Sequence, residues 1–315
     1  MAPKNIIAIG HTAIDHIYRI SNFPPRPTKV RALERIEDGG GSGANAAVAI
    51  ARLGGHVQLW SRVGQDEAGR KAIELLNQAG VGTINVLKHS TSRTSNSVVI
   101  VDRLGERMVV SERDDSMPDG SDWLPFSDTR TASVVTSDMS WREATVAAFR
   151  EAAAAKVPTI LDIDVASGLP SREILQFTSH AISSAEAIAG TTSIDGLRDR
   201  LGELQARGAR HAGVTLGSQG YRWLAEDGSD FCQHAFEVDP VDTTGAGDAF
   251  HGAFAWGLSC GLDDAECARV ASAVAALKCR RLGARAGLPT VRELDQFLQA
   301  QCGRGLVESV LSRFG

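Results

Sequence analysis

The residues with the clearest chemical potential lie in the run Asp242–Phe250, which reads DTTGAGDAF. Gly245, Ala246 and Gly247 stand just before a helix-like pattern, so unpaired backbone N–H groups and the positive end of the helix dipole would meet at one point. Small side chains let a phosphate group approach such a backbone closely. Asp248 would follow in the first helical turn, where it could take the proton of an attacking hydroxyl. The alternative is an aspartate that only complements the helix dipole, and the length of the motif favours catalysis.

A second glycine-rich segment, Asp38–Asn45, also stands before a helix-like stretch. Its four glycines permit close contact between the backbone and a hydroxyl-rich ligand, and the amide of Asn45 both donates and accepts hydrogen bonds. The segment is not a Walker A loop, because no Gly-Lys-Ser/Thr follows. It also lacks the βαβ setting of a dinucleotide-binding fingerprint. A plain glycine-rich turn with an asparagine cap is the alternative.

The elements that must position these motifs alternate between short apolar segments and helix-like segments. The predicted strands are Ile6–Gly10, Val57–Val63, Val134–Ser137, Thr159–Ile163, Ala181–Ser183 and Gly213–Leu216. The predicted helices are Ala44–Leu53, Ala68–Gln78, Trp141–Ala155, Leu197–Arg207, Asp248–Cys260, Ala265–Arg281 and Val291–Ala300. Alternation of this kind predicts an α/β fold whose mainly parallel sheet is covered by helices on both faces.

Two segments, 13–36 and 96–111, break the alternation because they contain strand-like runs without helices. Their predicted strands are Ile14–Ile20, Val30–Ile36, Ser97–Asp102 and Arg107–Ser111. We expect a discontinuous β-lid made of 13–36 and 96–111, with a core made of 1–12, 37–95 and 112–315. A simple extension of the main sheet is the alternative. A further hairpin, Tyr221–Ala225 with Phe231–Phe236, predicts an antiparallel edge.

The composition narrows the function classes. The 315 residues carry a net charge of -5 and no basic run, so a nucleic-acid or anionic-lipid surface has no support. No apolar stretch approaches the ~18 residues of a membrane-spanning helix, and the amino-terminal run is not typical of a secretory signal. Five cysteines without a Cys-x-x-Cys pair predict buried thiols in a reducing compartment. We therefore expect a cytoplasmic protein that binds neither nucleic acid nor a membrane.

The two glycine-rich motifs together carry a family resemblance. At this spacing, and over essentially its whole length, the chain resembles the ribokinase-like (pfkB) carbohydrate kinases. The resemblance implies a three-layer α/β/α sandwich with a mainly parallel central sheet and a small β-sheet lid. It also implies that ATP and Mg²⁺ serve to phosphorylate a primary alcohol of a sugar or sugar-like compound. As in many relatives, two chains would pair as a homodimer through the lid, whose strands offer open edges.

The resemblance also implies roles for individual residues. Asp248 corresponds to the catalytic base, and the preceding tripeptide corresponds to an anion hole of Gly245, Ala246 and Gly247. The positions that match substrate contacts are Asp15, Gly40, Gly41 and Asn45, and His11 is a further candidate hydroxyl contact. The positions that match the nucleotide-binding segment are Thr215, Gly217, Gly220 and Thr244.

Two cation sites are implied as well. Asp242 and Thr244, with the loop Arg281–Gly287, resemble a monovalent-cation site that would suit K⁺. The family's Asn-x-x-Glu motif, associated with Mg²⁺ and phosphate, should fall at 183–186, where this chain reads SSAE and lacks the asparagine. Glu186 is therefore a candidate contact of the Mg²⁺ hydration shell, and an ordinary helix start is the alternative.

Within the family, three stretches most resemble the kinases of 6-deoxy-6-sulfofructose: Phe236–Asp242, Lys278–Pro289 and Pro27–Lys29. Lys29 would then lie on the lid, where its charge could meet a sulfonate or phosphate on the far end of the sugar. A solvated loop lysine is the alternative.

Two departures keep other substrates open. Ser111 and Ser140 stand where a sulfonate site would carry an asparagine and an arginine, although Arg113 and Arg142 lie close by. A neutral ketose, a nucleoside or another sugar acid therefore stays possible. A protein on the same fold that senses a sugar or nucleotide without catalysis is the remaining alternative, against which the intact Asp248 argues. No function is assigned to residues 303–315.

Overall fold

The computed structural model describes residues 5–165, 170–191 and 196–306, together with residues 310 and 312. In chain order, the strands of this part are β1 (Ile6–Ile9), β2 (Ala13–Arg19), β3 (Glu34–Gly40), β4 (Val57–Gly64), β5 (Val86–His89), β6 (Ser95–Val101), β7 (Arg107–Glu112), β8 (Val134–Ser137), β9 (Thr159–Ile163), β10 (His180–Ser184), β11 (His211–Thr215), β12 (Tyr221–Leu224) and β13 (Asp230–Gln233). The helices are α1 (Ser42–Arg52), α2 (Glu67–Gln78), α3 (Arg142–Ala154), α4 (Arg172–Leu175), α5 (Ala185–Thr191), α6 (Leu197–Ala206), α7 (Ala246–Ser259), α8 (Asp264–Lys278) and α9 (Val291–Cys302).

The central sheet has nine strands in the order β13-β12-β11-β10-β9-β8-β1-β4-β5. From β11 to β5 every neighbouring pair is parallel, and β12 and β13 add an antiparallel edge. The predicted α/β class and the hairpin edge are therefore confirmed. Strand β5 was not predicted, because its four residues at the sheet edge carry only two aliphatic side chains.

Helices cover both faces of this sheet, and β1 shows why. Ile6 and Ala8 point into one core, formed with α1, α7, α8 and α9, whereas Ile7 and Ile9 point into the other core, formed with α3 and α6. Alternate side chains of a strand project to opposite faces, so a strand that is apolar throughout is buried on both sides. The three-layer arrangement follows from that pattern.

The second sheet has four strands in the order β3-β2-β6-β7. Its inner face buries Ile17, Val99 and Val101 against Leu282 of the core. A separate small sheet confirms the predicted lid architecture, although β3 is shifted toward the glycine-rich motif relative to Val30–Ile36. Val30 is exposed, and pairing with β2 begins only at Glu34. The strand then continues to Gly40, directly before the start of α1.

Cys232 and Cys302 are exposed, so the expectation of buried thiols is wrong for these two. Of the carboxyl-terminal stretch, Leu306 and Val310 pack into the core, and part of 303–315 lies outside the described residues. None of the described helices has the length and apolar character needed to cross a membrane.

Candidate active site

A cavity of about 1180 Å³ lies between the lid and the carboxyl ends of the parallel strands. Ligand pockets of drug-sized molecules have volumes of roughly 300–1,000 Å³, so this cavity has room for more than one small ligand. It is lined by most of the predicted site residues, namely His11, Asp15, Gly41, Asn45, Glu186, Thr215, Gly217, Gly220, Thr244, Gly245, Ala246, Gly247 and Asp248. The carboxyl edge of a parallel sheet is the expected place for ligands in such folds.

The amino end of α7 forms the floor of the cavity. Gly245 precedes the helix with φ of 72°, and a Cβ atom at this position would lie 2.8 Å from the Cβ of Ala284. Glycine is therefore required both by the backbone conformation and by the space. The N–H group of Ala246 donates to the carbonyl of Thr243 at 3.2 Å, so of the three amides predicted to form an anion hole this one already has a partner.

Asp248 occupies the first turn of α7, deep in the molecule but facing the cavity. Its Oδ2 accepts a hydrogen bond of 2.8 Å from Nδ2 of Asn45. Burial raises the pKa of Asp248 to about 6, and the nearby carboxylates of Asp138 and Asp164 add to the shift. A carboxylate with a pKa near the working pH is well suited to accept a proton from a substrate hydroxyl.

Arg285 is a site residue that the motifs did not single out. Its Nε donates to Oδ1 of Asn45 at 2.8 Å, and its Nη2 donates to the carbonyl of Gly40 at 3.2 Å. Because guanidinium has only donors, it fixes the amide of Asn45 with the oxygen toward Arg285 and the NH₂ toward Asp248. The two glycine-rich motifs are thus joined by a chain of hydrogen bonds. Only its place in the loop 281–287 could have pointed to this residue.

Asp15 enters the cavity from β2, with only 6% of its surface exposed. Burial raises the pKa of Asp15 to about 6, against the opposing charge of Arg285. Gly40 lies beside it, and a Cβ atom there would stand 2.3 Å from the Asp15 carboxyl group. Gly40 itself does not line the cavity, so its observed contribution is the space that it leaves for this carboxylate.

His11 lines the same cavity as Asp15. Burial and the positive charge of Arg113 lower the pKa of His11 to about 4, so the imidazole is neutral at physiological pH. Its Nε2 atom is buried and has no hydrogen-bond partner among the described residues. Its backbone N–H donates to Oδ2 of Asp138 at 2.7 Å. Asp138 was not predicted as a site residue. A neutral imidazole nitrogen of this kind is suited to a ligand hydroxyl.

The other end of the cavity is formed by the turn after β11. Thr215, Gly217 and Gly220, the residues predicted to contact the nucleotide, line this end. The N–H of Thr244 donates to Oδ1 of Asp242 at 2.8 Å, and the Thr244 hydroxyl is buried with no partner among the described residues. Asp242 itself is fully buried below the cavity lining rather than part of it.

An acidic wall connects the two ends. Asp162, near the carboxyl end of β9, and Asp164, directly after that strand, line the cavity together with Glu186. Burial raises the pKa of Asp162 well above its ordinary value, and the charges of Asp248, Asp138 and Asp164 reinforce the shift. Glu186 therefore lies where the family motif indicated, whereas the two aspartates were missed. Their position at the carboxyl end of a buried strand, with Asp162 inside β9 and Asp164 just after it, was the signal that could have found them.

Some of the residues that the sequence suggested for binding an anionic group of the substrate line the cavity, and others do not. Ser111 and Arg113 line the cavity, whereas Lys29 lies exposed in the connection between β2 and β3 and outside the lining. Ser140 donates its N–H to Oδ1 of Asp138, and Arg142 forms an exposed ion pair with Glu173. Among the positively charged residues considered from the sequence, Arg113 is thus the one that reaches the cavity.

Comparison with known proteins agrees with this geometry. The sequence model of the pfkB family carbohydrate kinases matches residues 3–291. The chain belongs to this family. As a pfkB kinase it is an ATP-dependent enzyme that phosphorylates an alcohol group, and the expected family membership and reaction type are confirmed.

Relatives of this pfkB kinase include ribokinases and fructokinases. It is 29% identical to the ribokinase of Bacillus subtilis over 94% of this chain and 99% of the relative. It is 31% identical to the fructokinase of Vibrio alginolyticus over 82% and 91%, respectively. A crystal structure of an Agrobacterium tumefaciens protein assigned as a ribokinase superposes with a TM-score of 0.89 at 29% identity, covering 96% of this chain and all of the other. The ribokinase-like fold is therefore confirmed.

Proposed function

We propose that this pfkB kinase transfers the γ-phosphoryl group of ATP to a primary hydroxyl of a sugar, with Asp248 as the general base. The observation that carries the proposal is the Asp248 carboxylate, which faces the cavity within the first turn of α7 and is oriented by Asn45. Protonation of this group by the substrate hydroxyl would free an oxygen lone pair for attack on phosphorus.

The floor of the cavity supports the electrostatic part of the reaction. Negative charge develops on the equatorial oxygens of the transferring group, and the amino end of α7 directs its dipole toward them. The glycines on either side of Ala246 leave the backbone accessible, and Gly247 is exposed to the cavity. In such sites the protein contributes mainly positioning and electrostatic stabilisation.

The acidic wall fits the divalent cation that ATP carries. Asp162, Asp164 and Glu186 offer carboxylate oxygens on one side of the cavity, the donor type that Mg²⁺ prefers. Burial, with the charges of Asp248, Asp138 and Asp164, raises the pKa of Asp162, and a cation at this wall would stabilise its ionised form. Bound there, directly or through water, Mg²⁺ would neutralise phosphate charge during transfer.

The lid end of the cavity supports a sugar with an anionic substituent. Asp15 and the neutral His11 offer an acceptor and a mixed donor or acceptor for hydroxyl groups. Arg113 adds a positive charge at the same end, close enough to His11 to shift its pKa. A guanidinium group matches the oxygens of a sulfonate, phosphate or carboxylate. We therefore propose 6-deoxy-6-sulfofructose, or a related anionic ketose, as the first substrate to test.

A substrate panel tests this proposal. ADP release is measured with 6-deoxy-6-sulfofructose, fructose, fructose 6-phosphate, ribose and a nucleoside, using wild-type protein and Arg113→Met. We expect the highest kcat/KM with an anionic ketose. Arg113→Met should lower that kcat/KM by about tenfold to a hundredfold, the effect of one lost charged hydrogen bond, and leave fructose unaffected.

The matched control is Arg93→Met, because Arg93 forms an exposed ion pair with Glu112 at the lid and does not line the cavity. Its kcat/KM values should equal those of the wild type. A preference for fructose, ribose or the nucleoside over every anionic ketose would contradict the anionic assignment while leaving the kinase assignment intact.

The outer face of the lid supports a homodimer. Val98 pairs with Val110 and Ile100 with Met108 across β6 and β7, which places these four side chains on the face opposite the buried Val99. Val98, Met108 and Val110 are exposed on this face. Contiguous exposed apolar residues on a sheet with an open edge are typical of an interaction surface.

Sedimentation analysis tests the dimer. We expect a species of twice the 33.4 kDa chain mass, and we expect Val110→Lys to convert it to the monomer. Ile84→Lys is the control, because Ile84 is an equally aliphatic residue that is 83% exposed away from the lid. A wild-type protein that sediments as a monomer at every concentration used for assay would refute the lid-mediated dimer.

A further inference from the structure

Lys278, the last residue of α8, is a fully buried lysine that the proposed mechanism does not use. Its Nζ donates to the backbone carbonyl of Asp242 at 2.7 Å. Lysine is among the residues least often buried, because its charge loses hydration there. A buried ammonium group that contacts the segment directly before the phosphate-binding turn therefore calls for an explanation beyond packing.

Asp242 supplies the opposite charge and ties three segments together. Its Oδ1 accepts from the N–H of Thr244 at 2.8 Å, and its Oδ2 accepts from the N–H of Gly283 at 2.7 Å. Its own N–H donates to the carbonyl of Cys279 at 3.1 Å. The Asp242 carboxylate, the loop 281–287 and the end of α8 thus form one hydrogen-bonded unit. Asp242 joins this unit to Gly245, which lies three residues later in the chain.

This unit does not fit the monovalent cation that the family resemblance implied. Both carboxylate oxygens of Asp242 already accept backbone N–H groups, and its carbonyl already accepts the ammonium of Lys278. A K⁺ ion on the same carbonyl would lie against a second positive charge in a region of low dielectric, where like charges repel strongly. Burial lowers the pKa of Lys278, and the Asp242 carboxylate opposes that shift.

We propose that the Lys278 ammonium is a tethered cation that takes the place of the monovalent ion in this chain. It acts as a positioning residue: it holds the Asp242 backbone, fixes the turn that leads to Gly245, and places a positive charge behind the site of the nucleotide's terminal phosphate. Its charge also interacts with Asp248 and with Arg107 of the lid. The inference depends on the proposed function, since it assumes that phosphate binds at the amino end of α7.

The first test needs no variant. Turnover and ADP affinity of the wild-type protein are compared in KCl, NaCl and choline chloride at equal ionic strength. We expect each quantity to be the same in the three salts within about twofold, because the Lys278 ammonium group already supplies the positive charge. Stimulation of several-fold by K⁺ over choline, in turnover or in ADP affinity, would overturn the proposal.

The second test removes the charge. Lys278→Met keeps most of the side-chain volume, and replacing a buried charge with an apolar side chain is often tolerated by the fold. We expect about tenfold weaker ADP binding and a comparable loss of kcat. Lys278→Ala should show the same losses, and K⁺ or methylammonium should restore part of the ADP affinity. Lys71→Met, at an exposed position of α2, is the control and should match the wild type.

These readouts separate two kinds of failure. If no compound of the substrate panel is phosphorylated, the substrate assignment fails, and calorimetric ADP affinity still tests Lys278. If Lys278→Met keeps wild-type ADP affinity and circular dichroism shows a folded protein, the tethered cation is refuted whatever the substrate. If that variant does not fold, the cation dependence of the wild-type protein decides the question.

Discussion

The floor and the lid face the same cavity, yet the chain builds them in opposite ways. The floor is the backbone at the amino end of α7, where Gly245 stands in a conformation that favours glycine, and the fully buried Asp242 lies beneath it. In the lid, every residue of β7 is exposed, and the cavity is lined by Arg107 of this strand and by Arg113, which directly follows it. Packing therefore determines the residue types of the floor, whereas the exposed side chains of β7 can change without disturbing the core.

We expect this difference to assign phosphoryl transfer to the floor and the choice of substrate to the lid. A change in the floor alters backbone geometry, so it should damage both stability and phosphoryl transfer. A change in the exposed lid should leave stability within about 0.5 kcal/mol, the usual range for surface substitutions, and alter ligand affinity alone. The following predictions test that division, from the largest expected effect to the smallest.

The largest effect is expected where the floor is most constrained. Gly245→Val forces a β-branched residue into φ of 72° and against Ala284. We expect kcat to fall by about a hundredfold or more, as when a donor to a developing oxyanion is lost, with a lower melting temperature. Gly228→Val is the control, because Gly228 has φ of 79° but open space around it in the β12–β13 turn. It should lose stability and keep kcat.

The pH dependence tests the two carboxylates that meet between floor and lid. Burial raises the pKa values of Asp15 and Asp248 to about 6, and both groups must be ionised to accept hydrogen bonds from the substrate. Log kcat/KM for the sugar should therefore fall below about pH 6 with a slope approaching two. In Asp15→Asn, kcat/KM should be about tenfold to a hundredfold lower and the slope should be one. A wild-type profile that stays flat to about pH 5 would contradict this assignment.

The smallest effect is expected at the contact between lid and floor. Nη1 of Arg107 on β7 donates to the hydroxyl of Thr243 at 2.6 Å. Arg107→Met should lower kcat/KM for ATP by about fivefold, the value of one exposed hydrogen bond, with no change in melting temperature. Arg103→Met, at the exposed tip of the same hairpin, should have no effect. A larger loss of stability than of activity in Arg107→Met would mean that the lid contact is structural.

Much of the fold could be predicted from the sequence because its signals are local. Strands such as β8 and β9 are short apolar runs, and α2 is capped at its amino end by Asp66, whose side chain accepts from the N–H of Gly69. Strand β3 was displaced because pairing with β2 outweighed the apolar character of Val30. Tertiary contacts of this kind leave no local signal.

In the candidate site, likewise, some residues could be predicted from local sequence and others could not. Asp248 and Asn45 lie in motifs whose residue types are required together, so they could be found by spacing alone. Arg285 donates to Asn45 from 240 positions away, and Asp138 accepts from the backbone N–H of Gly43, in the same motif as Asn45, from 95 positions away. Such partners become visible only when the chain is folded. The prediction for Lys29 depended on resemblance alone, because this residue is exposed in the connection between β2 and β3 and packing does not determine its type.

The most direct test of the central claim is single-turnover phosphoryl transfer by Asp248→Asn, measured together with ATP affinity. We expect transfer to slow by about 10²–10⁴-fold, the usual contribution of a general base, while ATP affinity stays near that of the wild type. The melting temperature at neutral pH should rise, because a buried carboxylate with a raised pKa destabilises the folded protein above its unfolded pKa. A variant that transfers phosphate at the wild-type rate would show that Asp248 is not the base.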